Sequence, residues 1–205
     1  MPTWLYLIRH GATAWHKDGR VLGNRDIPLD ADGVAQAEAL TAALAERRIA
    51  EVVASPLMRA VRTAEAIGKR HRIEVARDPR LTDLRMGAWE GKPQAELAAH
   101  AEYRRMLAVP DERIPGGESL RELATRARNA VDQIVGDNPS GDAVAVVTHG
   151  AVIRALVLDY LGAPLEAFDR IDVATGSITA IAFSGATVKV VAIGWTPDLG
   201  RVTHG

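Results

Sequence analysis

Apolar runs alternate with helical patterns along most of this 205-residue chain. Short apolar runs at 4–8, 52–54 and 143–147 predict buried strands. Apolar residues at helical spacing predict four inward stripes: Val34, Ala37, Leu40 and Leu44; Ala60, Ala64 and Ile67; Leu123, Ala127, Val131 and Ile134; Val152, Ile153, Leu156 and Tyr160. Runs at 178–183 and 188–193 predict a closing hairpin. The alternation predicts a three-layer α/β/α sandwich with a mostly parallel central sheet.

Local signals place several helix starts. Asp30 or Asp32 is expected to cap the first stripe, and Ser55, followed by Pro56, the second. Ser119-Leu120-Arg121-Glu122 has the pattern of a capping box. Pro93 is expected to start a helix that reaches about Leu107, and a further strand is expected at 73–77. The segments 11–30, 78–92 and 108–118 are rich in glycine and proline or lack a period, so we expect irregular structure there.

Composition narrows the class of protein. The length and the hydrophobic fraction of 47% fit one domain over residues 1–205. A net charge of −1 predicts no nucleic-acid partner. The chain has no cysteine, no apolar run long enough to span a membrane and no signal-peptide pattern, so we expect a cytoplasmic protein with no membrane partner. The sequence leaves a homodimer open.

The candidate chemistry lies where the predicted strands end. The first run ends in Arg9-His10-Gly11, and the run at 143–147 is followed by Thr148-His149-Gly150. The run at 52–54 is followed by Ser55-Pro56, with Arg59 within one helical turn. Ligands of open α/β sheets bind outside the carboxyl ends of the strands. Two arginines and two imidazoles brought together there would suit a phosphate dianion.

Several ordered segments resemble the histidine phosphatase superfamily, which includes the cofactor-dependent phosphoglycerate mutases and many small phosphatases. The matching segments span about residues 3–184 and are Leu7-Ile8-Arg9-His10-Gly11-Ala12-Thr13, Asp26-Ile27-Pro28-Leu29 with Gly33 and Gln36-Ala37, Ser55-Pro56-Leu57-Met58-Arg59-Ala60 with Thr63-Ala64-Glu65, Gly87-Ala88-Trp89-Glu90-Gly91, Pro115-Gly116-Gly117-Glu118-Ser119 and Val147-Thr148-His149-Gly150. The resemblance implies the phosphoglycerate mutase-like fold.

The resemblance also implies roles for residues of the strand ends. His10 would be the nucleophile that forms a phosphohistidine, with its other ring nitrogen donating to a carbonyl. Arg9 and Arg59 would hold the phosphoryl oxygens, and His149 would donate to one of them. Gly150 would let the backbone approach closely. The plainer interpretation is that the histidines are structural and the arginines lie on the surface.

The general acid is the least certain part of this pattern. The family usually has a glutamate where this chain has Asp83, which is shorter by one carbon–carbon bond, about 1.5 Å. Asp83 is the expected acid because its position matches, and Glu90 and Glu118 are the alternatives. An aspartate that only caps a turn is the plainer interpretation.

Residues 12–24 are expected to frame the substrate. Thr13, Arg20 and Gly23 match the family's loop, whereas Ala12 and His16 stand where glutamate and asparagine are more usual. His16 would either donate to the phosphate or be a loop histidine. We expect no metal and no cofactor, exposed positions for His71, His100 and His204, and a C-terminal stretch from Trp195 that is either docked or loose.

The expected activity is hydrolysis of a small phosphorylated substrate. The chain is short for a mutase of this family, and the segment at 87–91 resembles the phosphatase branch. Two alternatives stay open: a phosphoglycerate mutase-like phosphotransferase, and a non-catalytic protein that binds a phosphorylated ligand.

Overall fold

The computed structural model describes residues 2–139 and 141–197. In this part of the chain, one sheet is formed by β1 (Thr3–Arg9), β2 (Ile49–Ala54), β3 (Val75–Arg77), β4 (Ala143–Thr148), β5 (Ile178–Ser184) and β6 (Thr187–Trp195). The α-helices are α1 (Ala14–Lys17), α2 (Ala31–Leu44), α3 (Met58–His71), α4 (Gln94–Ala99), α5 (Ala101–Ala108), α6 (Leu120–Asp137) and α7 (Gly150–Leu161). Short 3-10 turns cover Pro79–Leu81, Gly87–Trp89 and Leu165–Arg170.

The sheet has the order β3-β2-β4-β1-β5-β6. Strands β1 to β4 pair in parallel, whereas β5 and β6 are antiparallel to their neighbours. Helices cover both faces, so the predicted α/β/α architecture with a mostly parallel sheet is confirmed. Strand β4 lies between β1 and β2, and the carboxyl ends of these three strands therefore meet at one edge of the sheet.

Alternation along β1 explains the two layers of helices. Leu5 and Leu7 pack in the cluster that includes α6 and α7, whereas Tyr6 and Ile8 pack in the cluster that includes α2 and α3. Successive side chains of a strand point to opposite faces, so a continuous apolar run is what a strand covered on both sides requires.

Several predicted boundaries are confirmed. Asp30 caps α2 by accepting a hydrogen bond from Gly33 N at 2.8 Å. Ser119 and Glu122 form the predicted capping box of α6. The predicted hairpin is β5 and β6, and the predicted strand at 73–77 is β3.

Other local predictions are wrong. Val34 is 49% exposed, because α2 packs through Gly33 instead. Ser55 caps no helix, since α3 starts two residues later than expected and Leu57 precedes it. The helix expected from Pro93 is divided at His100 into α4 and α5. Within the long loop expected at 11–30, the chain forms the short helix α1.

Tyr160 was expected to be buried and is half-buried. His71 was expected to be exposed and is also half-buried, and His100 is partly exposed. Trp195 ends β6 with 53% of its surface exposed. From residue 198 onward, the C-terminal stretch, which includes His204, lies outside the described residues. None of the described helices is both long and apolar enough to cross a membrane.

Candidate active site

The register of the central strands brings the two histidines together. Arg9 and Thr148 are opposite each other at the ends of β1 and β4, and His10 N donates to Thr148 O at 3.0 Å. The next residues of the two strands are His10 and His149, whose ring centroids lie 5.0 Å apart. The predicted meeting of the strand ends is therefore present.

The hydrogen bonds of His10 select one tautomer. Its Nδ1 lies 2.7 Å from Gly11 O, which only accepts, so Nδ1 carries the proton. Arg59 Nε donates to His10 Nε2 at 3.1 Å, so Nε2 presents its lone pair. The predicted carbonyl partner of the second ring nitrogen is thus Gly11 O.

His10 is also held in its neutral form. Its side chain is almost fully buried. Burial, and then the charges of Arg59 and Arg9, lower the pKa of His10 well below its usual value. A neutral imidazole is the form whose lone pair can attack phosphorus, once the hydrogen bond from Arg59 is released.

Arg59 lies in the first turn of α3 with no exposed surface. Its guanidinium donates to Arg25 O at 2.6 Å and to Gly23 O at 2.8 Å. These backbone carbonyls fix the side chain under the site, which excludes the interpretation of a surface arginine. Gly23 has φ +52°, and a Cβ there would lie 2.5 Å from the Glu90 carboxylate.

Arg9 leaves the end of β1 on the other side of His10. It donates to Val173 O and to His16 Nε2, and its own Nε is buried without a hydrogen-bond partner. Burial lowers the pKa of Arg9 to about 10, so the guanidinium stays charged at neutral pH. A buried charge with an unused donor is suited to an anionic ligand.

His149 is fully buried, and its two ring nitrogens have different surroundings. Nε2 lies 2.8 Å from Ser55 Oγ, and that oxygen accepts from Leu57 N at 3.4 Å. The Ser55 hydroxyl can therefore donate to Nε2, which leaves the proton on Nδ1. Nδ1 has no hydrogen-bond partner and lies 3.7 Å from Asp83 Oδ2. It is thus a buried donor without a partner, and His149 itself does not line the cavity described below.

Asp83 is the carboxylate that comes close to His149 and Arg59. Its Oδ1 accepts from Leu84 N at 2.9 Å, and its Oδ2 lies 3.3 Å from Arg59. The side chain is 17% exposed, and burial raises the pKa of the Asp83 carboxyl above its usual range, although Arg59 acts in the opposite direction. The two alternative carboxylates have other partners. Glu90 accepts from Asn24 N and pairs with Arg25, whereas Glu118 pairs with Arg126.

A cavity of about 200 Å³ opens above these side chains. Its lining includes Arg9, His10 and Asp83 from the floor, and the wall contains His16, Arg20, Gly23, Met86, Gln94, Leu97, Tyr103, Gly150 and Arg154. The volume lies below the ~300–1,000 Å³ of pockets for drug-sized ligands, which favours a small metabolite.

Comparison with known proteins agrees with this geometry. A family model described as the histidine phosphatase superfamily (branch 1) matches residues 5–196. The chain belongs to this superfamily. A probable phosphoglycerate mutase GpmB of Proteus mirabilis (strain HI4320) is 35% identical over 204 residues, covering 98% of this chain and 94% of that protein.

Solved structures of the superfamily share the fold. YhfR of Bacillus stearothermophilus superposes with a TM-score of 0.88 at 31% identity, covering 97% of this chain and 100% of that one. A mycobacterial glucosyl-3-phosphoglycerate phosphatase in complex with VO3 gives a TM-score of 0.85 at 29% identity, covering 94% of this chain and 99% of that one. The relatives thus include proteins named as mutases and proteins named as phosphatases.

The residues predicted to frame the substrate divide into two groups. His16, Arg20, Gly23 and Gly150 line the cavity. Thr13 lies behind them, fully buried, with its hydroxyl 2.9 Å from His16 Nδ1. A Cβ at Gly150 would lie 3.3 Å from the Arg9 guanidinium, which would have to shift by a few tenths of an ångström.

His16 is a neutral group of the cavity wall. Burial and the charge of Arg9 lower its pKa to about 4. Trp89 is a core residue, and its ring packs against Tyr103, which reaches the cavity. Across residues 2–139 and 141–197, no three potential ligands of the His, Cys, Asp and Glu types cluster as a metal site.

Sequence reasoning missed the supporting residues. Arg126 donates to the carbonyl oxygens of Arg80, Thr82 and Asp83, and so holds the segment that carries Asp83. Ser55 was expected at a helix cap, and it orients His149 instead. No local signal marks Arg126, because its partners at 80–83 lie far away in the chain. Arg154 in the cavity wall was also missed.

Proposed function

We propose that the protein is a metal-independent phosphomonoesterase that acts on a small phosphorylated metabolite through a phosphohistidine on His10. The observation that carries this proposal is the state of His10: its Nε2 is unprotonated and accepts from Arg59, and the neighbouring His149 has an unpartnered Nδ1. Nucleophile, fixed positive charge and a free donor are the parts that phosphoryl transfer requires.

In the first step, His10 Nε2 attacks phosphorus and the bond from phosphorus to the ester oxygen breaks. The electron pair leaves with that oxygen, which takes a proton from the Asp83 carboxyl. Arg9, Arg59 and His149 bind the phosphoryl oxygens, where charge develops. The hydrogen bond from Arg59 Nε to His10 must give way as phosphorus approaches.

In the second step, water attacks the phosphohistidine. The Asp83 carboxylate accepts a proton from that water, the bond from phosphorus to Nε2 breaks, and inorganic phosphate is released. His10 regains its lone pair and Asp83 its proton, so the cycle closes without an added metal ion or cofactor.

Transfer to a second hydroxyl of the substrate is the competing function. The curated relatives named as probable phosphoglycerate mutases favour it. Hydrolysis is favoured by the solved relatives named as phosphatases. Both functions use the same phosphohistidine and differ only in what accepts the phosphoryl group.

Phosphate release from p-nitrophenyl phosphate in excess EDTA tests the proposal, with wild type compared with His10→Ala. We expect release by the wild type and no detectable release by the variant, with an unchanged circular dichroism spectrum. Normal turnover by His10→Ala would contradict the mechanism. Isomerisation of 3-phosphoglycerate without phosphate release would favour the mutase, and neither reaction would favour a phospho-ligand binder.

A further inference from the structure

We propose that Arg154 is a specificity-determining residue that binds a second anionic group of the substrate, a carboxylate or a second phosphate. This inference rests on the proposed function, because it concerns the part of the same substrate that is not transferred. Arg154 lines the cavity and has no part in the chemistry described above.

The position of Arg154 follows from helix α7. Gly150 starts this helix beside Arg9, and Arg154 lies about one turn farther along the same face. Side chains of a helix lean toward its N-terminus. The guanidinium is therefore carried back toward the cavity instead of away from it. One turn is ~5.4 Å, a separation that a few covalent bonds of a small metabolite can span.

The contacts of Arg154 leave it ready for a ligand. Its Nε is buried without a hydrogen-bond partner. Its terminal nitrogens lie 3.8 Å from Asp169 and 3.9 Å from Asp172, which is beyond normal hydrogen-bond distance. Asp172 is 94% exposed and Asp169 is 54% exposed, so these pairs are weak and screened by solvent.

The charge of the cavity supports the same conclusion. Among the described lining residues, Arg9, Arg20 and Arg154 face a single carboxylate, Asp83, and Arg59 lies directly beneath. Arg154 is near enough to Arg9 for its charge to lower the pKa of that guanidinium. A phosphoryl dianion would offset Arg9 and Arg59, which leaves positive charge in the wall for a second anion.

The competing interpretation is that Arg154 is a structural tether for the turn Leu165–Arg170. Its guanidinium lies 5.5 Å from the Phe168 ring, and Asp169 belongs to the same turn. A tether would affect all substrates equally. A binding group would affect only the substrates that carry the second anion.

A matched pair of substrates separates the two interpretations. Glycerol 3-phosphate and 3-phosphoglycerate differ by a hydroxymethyl group in place of a carboxylate, and propane-1,3-diol bisphosphate carries a second phosphate. We expect the wild type to prefer at least one of the two anionic substrates, and Arg154→Gln to lower its kcat/KM about 10- to 100-fold, mainly through KM. The kcat/KM for glycerol 3-phosphate should change less than about threefold, because this substrate has no second anion for Arg154 to bind. The anionic substrate whose kcat/KM falls in Arg154→Gln shows whether Arg154 binds a carboxylate or a second phosphate.

Two controls complete the experiment. Arg170→Gln removes a nearby exposed arginine outside the cavity. It should leave unchanged the ratio of kcat/KM for the anionic substrates to kcat/KM for glycerol 3-phosphate. Asp169→Asn combined with Asp172→Asn removes both weak partners, and should keep or raise the preference for the anionic substrate. Loss of that preference in the double variant, or an equal loss on all substrates in Arg154→Gln, would overturn the proposal. Turnover of glycerol 3-phosphate by the wild type tests the phosphatase function separately.

Discussion

Two carboxylates between β3 and α6 have opposite surroundings. Glu118 is 1% exposed and accepts from Arg126 at 2.6 and 3.0 Å and from Arg85 N at 3.0 Å. Asp83 is 17% exposed, and its Oδ2 accepts from Arg59 at 3.3 Å and lies 3.7 Å from His149. The first is enclosed by the protein, whereas the second lines the cavity. The difference teaches that a carboxylate available for chemistry is one that a ligand can reach.

The largest effect on this comparison should come from Asp83→Asn. The amide cannot donate a carboxyl proton, so kcat for an alkyl phosphate should fall about 100- to 10,000-fold. The loss should be much smaller for release of p-nitrophenol from p-nitrophenyl phosphate, because that leaving group needs little protonation. Asp83 is also the base of the second step, so the rates of the first turnover with both substrates, before hydrolysis of the phosphohistidine limits the rate, measure the difference. An equal loss on both would move the acid role away from Asp83.

Glu118→Gln should act on stability instead. Breaking a buried ion pair leaves Arg126 uncompensated, and the free energy of unfolding should fall by about 3–5 kcal/mol. Denaturant unfolding measures this change. Glu122→Gln is the matched control, since that side chain is 43% exposed and the substitution should cost less than about 1 kcal/mol. If Glu118→Gln instead lowered the rate on an alkyl phosphate far more than on p-nitrophenyl phosphate, without destabilising the fold, Glu118 would be the acid.

The pH dependence of kcat/KM sharpens the same contrast. His10 must be neutral, and because its pKa is lowered, activity should fall only well below pH 6.5. Asp83 must be protonated, and because its pKa is raised above 3.8, activity should fall as pH rises through that raised value. Each limb should approach a tenfold change per pH unit. We expect Asp83→Asn to lose the alkaline limb and Glu118→Gln to keep it. A limb that survives in Asp83→Asn would belong to another group.

The smallest effect is expected for Asp83→Glu. The side chain gains about 1.5 Å, and the segment that carries it lies outside the helices and strands, although Arg126 binds the carbonyl oxygens of Thr82 and Asp83. Activity should stay within about tenfold of wild type or rise, since misplacement by ~1 Å costs up to ~100-fold. Steady-state rates on an alkyl phosphate test this, and a severe loss would show that the site is built around the shorter side chain.

The sheet and the floor of the site were predictable because they depend on local patterns. The apolar runs before His10 and His149 predicted parallel neighbouring strands, and the register then fixes the two histidines side by side. The capping box at Ser119 was predictable because both of its partners lie within four residues.

The cavity wall was not predictable in the same way. Ser55 and Arg126 act through partners far away in the chain, His149 and the carbonyl oxygens at 80–83, and no local pattern reports such contacts. Val34 has the spacing of a buried residue and is exposed, because the close approach of Gly33 to Ala12 sets how α2 packs. Tertiary packing decided these positions, and a single sequence does not contain that information.

The central claim is that His10 becomes phosphorylated, and a rapid-quench experiment tests it most directly. In Asp83→Asn, transfer from p-nitrophenyl phosphate should proceed while hydrolysis is slowed, so p-nitrophenol should appear in a burst of one equivalent per site. Labelled phosphate should then be found on His10 as an acid-labile, base-stable adduct, and Asp83→Asn combined with His10→Ala should give neither burst nor label. A burst of p-nitrophenol in Asp83→Asn without any label on His10 would contradict the account.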